Sequence, residues 1–213
     1  MLLRRGENSN EERCRQVRMN APWSEPFTRF GALFEQAKQA QPKDPNAMSL
    51  ATVDANGRPS LRVVLMKDFD EQGFVFYTNH QSRKGRDGHA TKVAALNFHW
   101  PALDTQVRIE GALEVVTDAE ADAYFASRPR ESQLGAWASL QSQPLPSRAV
   151  LEQRLAELTK LHDGKPVPRP PHWSGFRVKP HHIEFWKAHP HRLHWRDVYE
   201  KRGDAWETGQ LFP

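Results

Sequence analysis

The sequence predicts a mainly β fold of the α+β class, an antiparallel barrel or sandwich that carries peripheral helices. Short segments rich in β-forming residues follow one another between residues 47 and 116 and again beyond residue 173. Turn signals such as Asn56-Gly57 join them, and the strand-helix alternation of a parallel sheet is absent from the sequence. The 213 residues suffice for one sizeable core. We expect a single domain over residues 21–213, preceded by a mobile arm at residues 1–20.

The first element is a helix predicted to begin after Ser24, whose hydroxyl can cap it, and to end before Pro42. Its apolar residues recur at spacings of three and four, which places them on one face of the helix. These residues are Phe27, Phe30, Phe34 and Ala37.

Strands rich in β-formers are predicted next, at residues 47–54, 59–69, 74–78, 92–100 and 105–116, with a short helix after Ser82. A capping box of Thr117 and Glu120 opens one later helix. Another is predicted over residues 147–162, with Leu151, Leu155, Leu158 and Leu161 along one stripe. The proline-rich connector 165–171 excludes regular structure, and further strands are predicted at residues 173–179, 182–186, 192–200 and 206–211.

Charge and composition restrict the function. The formal net charge is +4 and the pI is about 9.3, which predicts an anionic partner: a nucleic acid, an acidic membrane surface or a phosphorylated small molecule. Mean hydropathy is −0.76, and the apolar runs fall short of the roughly 18 residues that a membrane span needs. Cys14 is the single cysteine, and the first residues have no secretory signal pattern. We therefore expect a cytoplasmic protein.

Basic residues gather at the ends of successive predicted strands. Arg62 and Lys67 bracket the apolar run 63–66, and Arg83 and Lys84 follow the next predicted strand. No glycine-rich phosphate loop occurs in the sequence, so any phosphate must be held by side chains, to which Arg offers paired hydrogen bonds and Lys a point charge. Each residue alone is typical of a solvated surface. Their accumulation favours a site for a phosphate monoester.

Two further groups of polar residues leave alternatives open. Tyr124, Arg128 and Ser132 can converge across a helix, a turn and a new helix start, or they can mark a helix end with a surface tyrosine. Arg192 and His194 would share one strand face with Arg196. The histidines of this C-terminal part lack the spacing of a metal site, and we predict none. Short basic clusters without an RNP-type motif make nucleic acid a second choice.

Taken together, these segments resemble the pyridoxamine 5'-phosphate oxidase family, in the family's order and from the first helix almost to the C-terminus. The segments are Arg62-Val-Val-Leu-Met-Lys67, Phe76–Lys84, Gln106–Gly111, Tyr124–Ser139, Gln141-Ser142, Trp173–Val178, Ile183–Trp186 and Arg192-Leu-His194. The resemblance implies an FMN-binding split β-barrel of the flavin-reductase type, assembled as a homodimer with FMN at the subunit interface.

The resemblance also implies the residues of the site. Those that would bind FMN are Arg62, Val63, Val64, Leu65, Met66, Lys67, Tyr77, Thr78, Arg83, Lys84, Gln106, Gln141, Ser142, Trp186 and Arg196. Of these, Arg62, Arg83, Lys84 and Ser142 would hold the FMN phosphate. Those that would bind the substrate are Lys67, Tyr124, Arg128, Ser132, Arg192, Leu193 and His194, of which Arg192 and His194 would be catalytic.

The implied reaction is oxidation of pyridoxamine or pyridoxine 5'-phosphate to pyridoxal 5'-phosphate. A hydride would pass from substrate C4′ to flavin N5, and O2 would reoxidise the flavin and give H2O2. The sequence departs from the family pattern at Thr105, Trp195 and Gln210. Two alternatives are an FMN oxidase of the phenazine-biosynthesis type and an FMN-binding protein without catalysis. Lys67 and residues 132–138 speak against the first, and Arg192 with His194 speaks against the second.

Overall fold

A computed structural model describes residues 24–213 of the chain. The strands are β1 Ala47–Val53, β2 Pro59–Leu65, β3 Asp68–Asp70, β4 Gly73–Asn79, β5 Val93–Trp100, β6 Thr105–Val115, β7 Trp173–Lys187, β8 Trp195–Arg202 and β9 Ala205–Gln210. The helices are α1 Glu25–Ala40, α2 Arg83–Thr91, α3 Asp118–Ser127, α4 Arg130–Ala138 and α5 Arg148–Leu161. The predicted arm at residues 1–20 lies outside the described residues.

All nine described strands form one curled, antiparallel sheet, which confirms the predicted mainly β fold with peripheral helices. Its order is β2-β1-β5-β6-β7-β4-β3, and β8 and β9 continue from β7. The first half of β7 pairs with β4 and its second half with β8, while β6 runs along the other side of β7. One strand therefore connects two distant parts of the sheet.

The core lies between α1 and the sheet. Phe30 is fully buried, and its ring centroid lies 4.8 Å from that of Phe74 and 5.0 Å from that of Phe98. The predicted helix with its phenylalanine face is confirmed, but its predicted cap is wrong. The hydroxyl of Ser24 donates to a carboxylate oxygen of Glu71 at 2.8 Å, and its side chain makes no capping bond.

Two of the predicted strand boundaries are wrong for reasons visible in the pairing. The strand predicted at 59–69 divides because the backbone changes partner: Met66 N–H donates to Asn46, whereas Lys67 N–H donates to Val75. The strands predicted at 173–179 and 182–186 are one strand, β7, because a bulge at residue 181 accommodates Pro180 within it. Opposite Pro180 the backbones approach so closely that a Cβ at Gly111 would lie 2.2 Å from the carbonyl oxygen of Lys179.

Other corrections concern the helices and the C-terminal loop. The leucine stripe of α5 is not a buried face: no residue of this helix is fully buried, and Leu161 is 64% exposed. The strand predicted from residue 192 begins at Trp195, because Arg192 lies in a 3-10 turn with a left-handed φ of 61°. Arg192 and His194 therefore do not share a strand face with Arg196. None of the helices in residues 24–213 is long and apolar enough to span a membrane.

Candidate active site

An open cleft with a volume of about 770 Å³ lies where the C-terminal ends of β2 and β4 face α3 and α4. It brings together most of the predicted residues of these elements: Arg62, Val63, Val64, Leu65, Lys67, Tyr77, Thr78, Lys84, Tyr124, Arg128, Ser132 and Gln141. Residues predicted for FMN and residues predicted for the substrate phosphate thus line the same space.

Lys84 lies at one end of the cleft, in the first turn of α2. Ser82 caps this helix by accepting a hydrogen bond from the N–H of Gly85 at 3.3 Å. The cap fixes the first turn of the helix and with it the backbone position of Lys84. The ammonium group of Lys84 donates to Gln141 Oε1 at 2.9 Å, to Thr78 Oγ1 at 3.2 Å and to Ser82 Oγ at 3.3 Å. Its partners are uncharged, so its charge is not neutralised by them.

Arg62 lies beside Lys84, and hydrogen bonds hold its guanidinium group in place. Its Nη1 donates to Thr52 Oγ1 at 2.7 Å and to the Leu50 carbonyl at 3.1 Å, and its Nη2 donates to Ser60 Oγ at 2.6 Å. Thr52 in turn donates to the buried carboxylate of Asp87 at 2.7 Å, which lies 4.0 Å from Arg62 Nη2. The guanidinium is therefore fixed in one orientation.

We call Arg62 and Lys84 the first basic pair. Burial lowers the pKa of Lys84, and the charge of Arg62 lowers it further. Burial also lowers the pKa of Arg62, although Asp87 opposes this effect and Arg83 adds to it. Two half-buried cations that repel each other, of which only Arg62 has a nearby carboxylate, fit a ligand with a phosphate dianion.

Arg128 lies at the C-terminus of α3, on the other side of the cleft. Its Cζ is 4.8 Å from the ring centroid of Trp173 and 5.6 Å from that of Phe125. Its Nη1 is buried and has no hydrogen-bond partner among the described residues. Burial lowers the pKa of Arg128. Lys67 is nearby, with its Nζ 6.0 Å from the ring of Tyr124. These residues can hold a second anion.

Three nearly parallel aromatic rings line the cleft beside Arg128. The ring centroid of Tyr77 is 4.1 Å from that of Tyr124 and 5.3 Å from that of Trp173, with interplanar angles of 17° and 5°. Burial raises the pKa of Tyr77 to about 12, so its phenol remains neutral near pH 7. The rings form an apolar wall next to the cations.

Other predicted site residues do not line this cleft. The side chain of Met66 is buried in the core, and Arg83 and Ser142 are exposed outside the cleft lining. A further set lies at the opposite end of β7, and we call it the β7–β8 group: Gln106, Trp186, Arg192, Leu193, His194 and Arg196.

Strand pairing, a ring contact and an ion pair hold residues of the β7–β8 group in place. Trp186 pairs in register with Gln106 on one side and with Arg196 on the other, and its ring centroid lies 4.6 Å from that of His194. Arg196 is fixed by Glu184, with Nε 2.7 Å from Oε1. Burial opposes ionisation of Glu184, but the hydrogen bond from Arg196 and the charge of Arg108 hold its pKa below the usual range.

The cleft and the β7–β8 group are far apart in one chain. Trp173 lines the cleft and Trp186 belongs to the other group, and the thirteen residue steps between them span roughly 40 Å along the strand. The side chains of the β7–β8 group do not line the cleft of their own chain. In the described residues no cluster of His, Cys, Asp and Glu suits a metal ion.

Sequence reasoning missed part of the cleft lining: Asn79, Ser127, Pro129, Gly135, Ala136, Ser139 and Trp173. Four cleft residues of α4 and its C-cap have small side chains at spacings of three and four: Ser132, Gly135, Ala136 and Ser139. This pattern is readable once a helix is assigned to residues 130–138. Trp173 carries no local signal, because its position depends on the pairing of β7 with β4.

Comparisons with known proteins agree with this geometry. A family model described as pyridoxamine 5'-phosphate oxidase matches residues 34–162, and one described as the pyridoxine 5'-phosphate oxidase C-terminal dimerisation region matches residues 173–213. A pyridoxine/pyridoxamine 5'-phosphate oxidase of Myxococcus xanthus is 62% identical over 89% of this chain and 92% of its own length. One of Caulobacter vibrioides is 55% identical over 96% and 95%.

Two solved structures are similar to the fold. PhzG from Burkholderia lata 383, crystallised with tetrahydrophenazine-1-carboxylic acid, superposes with a TM-score of 0.84 at 36% identity, over 92% of this chain and 96% of that one. A pyridoxamine 5'-phosphate oxidase-related, FMN-binding protein from Nostoc punctiforme has a TM-score of 0.71 at 18% identity, over 91% and 98%. The second likeness bears on the fold alone.

Proposed function

The chain belongs to the pyridoxamine 5'-phosphate oxidase family, and from that premise we propose how its cleft carries out the reaction. It is an FMN-dependent oxidase that acts on pyridoxine and pyridoxamine 5'-phosphate. The observation that carries the assignment of roles is that one cleft holds cations on both sides of an aromatic wall, without enough carboxylates to neutralise them.

The first basic pair holds the FMN phosphate. Arg62 presents a guanidinium already oriented by Thr52, and Lys84 has three donors that neutral oxygens now occupy and that phosphate oxygens can take over. Thr78 and Gln141, which contact Lys84, complete this end of the site. A phosphate dianion relieves the repulsion between the two cations. The positive charge of the pair therefore favours binding of FMN, and bound FMN favours the charged form of the pair.

Arg128 holds the substrate phosphate, with Lys67, Tyr124 and Ser132. The buried Nη1 of Arg128 lacks a partner among the described residues, and a phosphate oxygen would satisfy it. Ser132 lies in the first turn of α4, where a hydroxyl and the helix N-terminus both favour an anion. The two phosphates are thus bound by separate cations in one cleft, which orients the substrate relative to FMN.

The chemistry that FMN supplies when bound is acceptance of a hydride from substrate C4′ and transfer of the two electrons to O2, which yields H2O2. The side chains of the cleft orient the two reactants and exclude water from between them. The aromatic wall of Tyr77, Tyr124 and Trp173 gives the site a low-polarity side on which flat rings can pack.

We further propose that a second copy of the chain completes the site. The match of residues 173–213 to a dimerisation region supports a homodimer, and this region contains most of the β7–β8 group. Beside the cleft, Leu61 and Val63 on β2 are 69% and 67% exposed, which is typical of a surface that a partner covers. Gln106, Trp186 and Arg196 of one copy would then contact FMN in the cleft of the other.

In the same arrangement Arg192 and His194 of the second copy lie over the pyridine ring. The fixed positive charge of Arg192 near the reacting atoms would stabilise the electron density that FMN gains when it accepts the hydride, and His194 would orient the substrate ring. Arg192 ends a short 3-10 turn in which His191 and Arg192 have left-handed φ angles of 57° and 61°, and His194 follows this turn.

The central experiment uses purified protein. It should be yellow, should release FMN on denaturation, and should form pyridoxal phosphate and H2O2 from pyridoxamine phosphate and O2. A colourless protein that takes up no added FMN would contradict the cofactor assignment. Arg192→Ala should lower turnover while FMN stays bound, and full activity of this variant would refute the role of Arg192.

Subunit mixing tests whether two copies share each site. Homodimers of Arg192→Ala and of Arg128→Glu are each expected to be inactive. Re-equilibrated together in equal amounts, they give about half heterodimers, each with one intact site, so about a quarter of wild-type activity should return. Equal mixing without recovery, with heterodimers verified by two affinity tags, would show that each site is built from a single chain.

A further inference from the structure

Arg128 has different surroundings from the guanidinium groups of Arg62, Arg169 and Arg177, which are also largely shielded from solvent. Arg62, Arg169 and Arg177 each have a carboxylate within 4.0 Å. Arg128 instead lies against the faces of Trp173 and Phe125, at 4.8 Å and 5.6 Å from the ring centroids. Burial lowers its pKa, and the phenol of Tyr124 is the group that opposes this.

The aromatic surroundings of Arg128 determine whether its N–H groups can bind an anion. A carboxylate would neutralise the guanidinium and would occupy two of its N–H groups, as Asp70 and Glu120 do at Arg177. An aromatic face attracts the cation without accepting its in-plane hydrogen bonds. Arg128 is therefore held in place while its N–H groups and its charge stay available for an anion, and its buried Nη1 has no partner among the described residues.

Trp173 is itself rigid. Its side chain is buried, its backbone N–H donates to the Pro170 carbonyl at 3.0 Å, and the residue pairs in register with Asn79 of β4. Its carbonyl accepts a hydrogen bond from Arg169 Nη1 at 2.9 Å. Arg169 also forms ion pairs with Asp118 and Asp122 of α3, the helix that ends at Arg128. The ring and the helix that bears Arg128 are thus tied to the same guanidinium.

We propose that Trp173 is a positioning residue that sets the preference of the enzyme for phosphorylated over unphosphorylated substrates, by holding Arg128 ready for the phosphate. This inference rests on the proposed role of Arg128 in binding the substrate phosphate. It assigns to Trp173 an effect on the part of the substrate that does not react, so the step that oxidises C4′ should be affected little.

The test compares pyridoxamine phosphate with pyridoxamine as substrates of FMN-saturated Trp173→Leu. A lost cation–π contact predicts a KM for pyridoxamine phosphate that is about 5- to 30-fold higher. The kcat for pyridoxamine phosphate and the kcat/KM for pyridoxamine should each change less than about threefold, which is the size of effect expected from a substitution that does not touch the reacting atoms. Trp137→Leu is the matched control, because Trp137 packs in the same small cluster and its ring contacts His162 and His172. Its ratio of the two kcat/KM values should equal that of the wild type.

A purely structural role for Trp173 would predict a different result. Loss of packing around Tyr77 would disturb the cleft and lower the kcat/KM of the FMN-saturated variant equally for both substrates, and this outcome would overturn the proposal. Trp173→Phe keeps an aromatic face and should lose about 2- to 5-fold in the ratio, so it supplies the test if Trp173→Leu does not fold. An unchanged ratio in Trp173→Phe, while Arg128→Gln lowers it, would likewise overturn the proposal. If the wild type itself shows no preference for the phosphorylated substrate, the proposed function of Arg128 fails instead.

Discussion

Replacement of Lys84 by methionine is the most direct test of how the cleft recognises FMN. Methionine keeps the apolar stem but removes the ammonium group, which donates hydrogen bonds to Gln141, Thr78 and Ser82. Since the proposed ligand of this group is a phosphate, the substitution should weaken FMN and leave riboflavin, which has no phosphate, almost unaffected. The comparison of these two ligands isolates the phosphate from the flavin ring.

The magnitude follows from the contacts. A hydrogen bond to a charged group contributes about 1.5–3 kcal/mol, which corresponds to a roughly 10- to 150-fold increase in the Kd for FMN. The ligand-free protein should respond differently. Burial and the charge of Arg62 lower the pKa of Lys84, so the folded chain disfavours this ammonium group. The Tm of the ligand-free Lys84→Met protein should therefore not fall, whereas the Tm of the FMN complex should.

Quenching of flavin fluorescence gives both Kd values, and thermal unfolding with and without FMN gives the two Tm values. Lys38→Met is the control, because Lys38 pairs with Glu35 on the exposed side of α1, away from the cleft. An equal loss of affinity for FMN and riboflavin would refute the phosphate assignment. A lower Tm in the ligand-free variant would refute the argument from repulsion.

Three further outcomes are expected. Burial, and secondarily the charge of His89, lower the pKa of His80 to about 4 from 6.5, so this imidazole stays neutral in the folded chain and gains protons on unfolding. Stability should fall by about 1–2 kcal/mol, after allowance for solvent screening, as the pH drops from 6.5 toward 4, and urea unfolding of His80→Gln should show a smaller decrease. Gly135→Ala should stabilise α4 by about 0.5–1 kcal/mol without loss of kcat/KM, because a Cβ there meets nothing within 4 Å, whereas Gly135→Leu should fill the cleft and raise KM. Glu184→Gln should destabilise the chain by about 1–3 kcal/mol in urea and weaken FMN, while the exposed Glu114→Gln should change neither measurement.

Local patterns in the sequence predict most of the fold. The phenylalanine spacing of α1 and the capping box of Thr117 and Glu120 appear in the structure where they are expected, because these signals involve residues within one or two turns. Boundaries that depend on a distant partner are harder to predict. The chain leaves β1 for β4 between Met66 and Lys67, and nothing in the local sequence of these two residues marks that change.

The candidate site shows the same division. The predicted cations Arg62, Lys84 and Arg128 all line the cleft, since each lies within or at the end of an element whose position the pattern predicts. The sequence pattern predicts Trp173 only as a strand residue, because its contact with Arg128 depends on the packing of α3 over β7. The separation of the β7–β8 group from the cleft is likewise invisible in the sequence, where both are simply parts of one series of motifs.

The length of β7 has a consequence for how the chain can change over evolutionary time. Since one strand carries Trp173 at the cleft and Trp186 in the β7–β8 group, its length sets the distance between these two sites. A two-residue insertion would lengthen it by about 7 Å, and a single insertion would reverse which face every following side chain occupies. Single substitutions along β7 keep the length of the strand. An insertion or deletion within it would change the position of the cleft relative to the β7–β8 group, and one such event would therefore affect both sites.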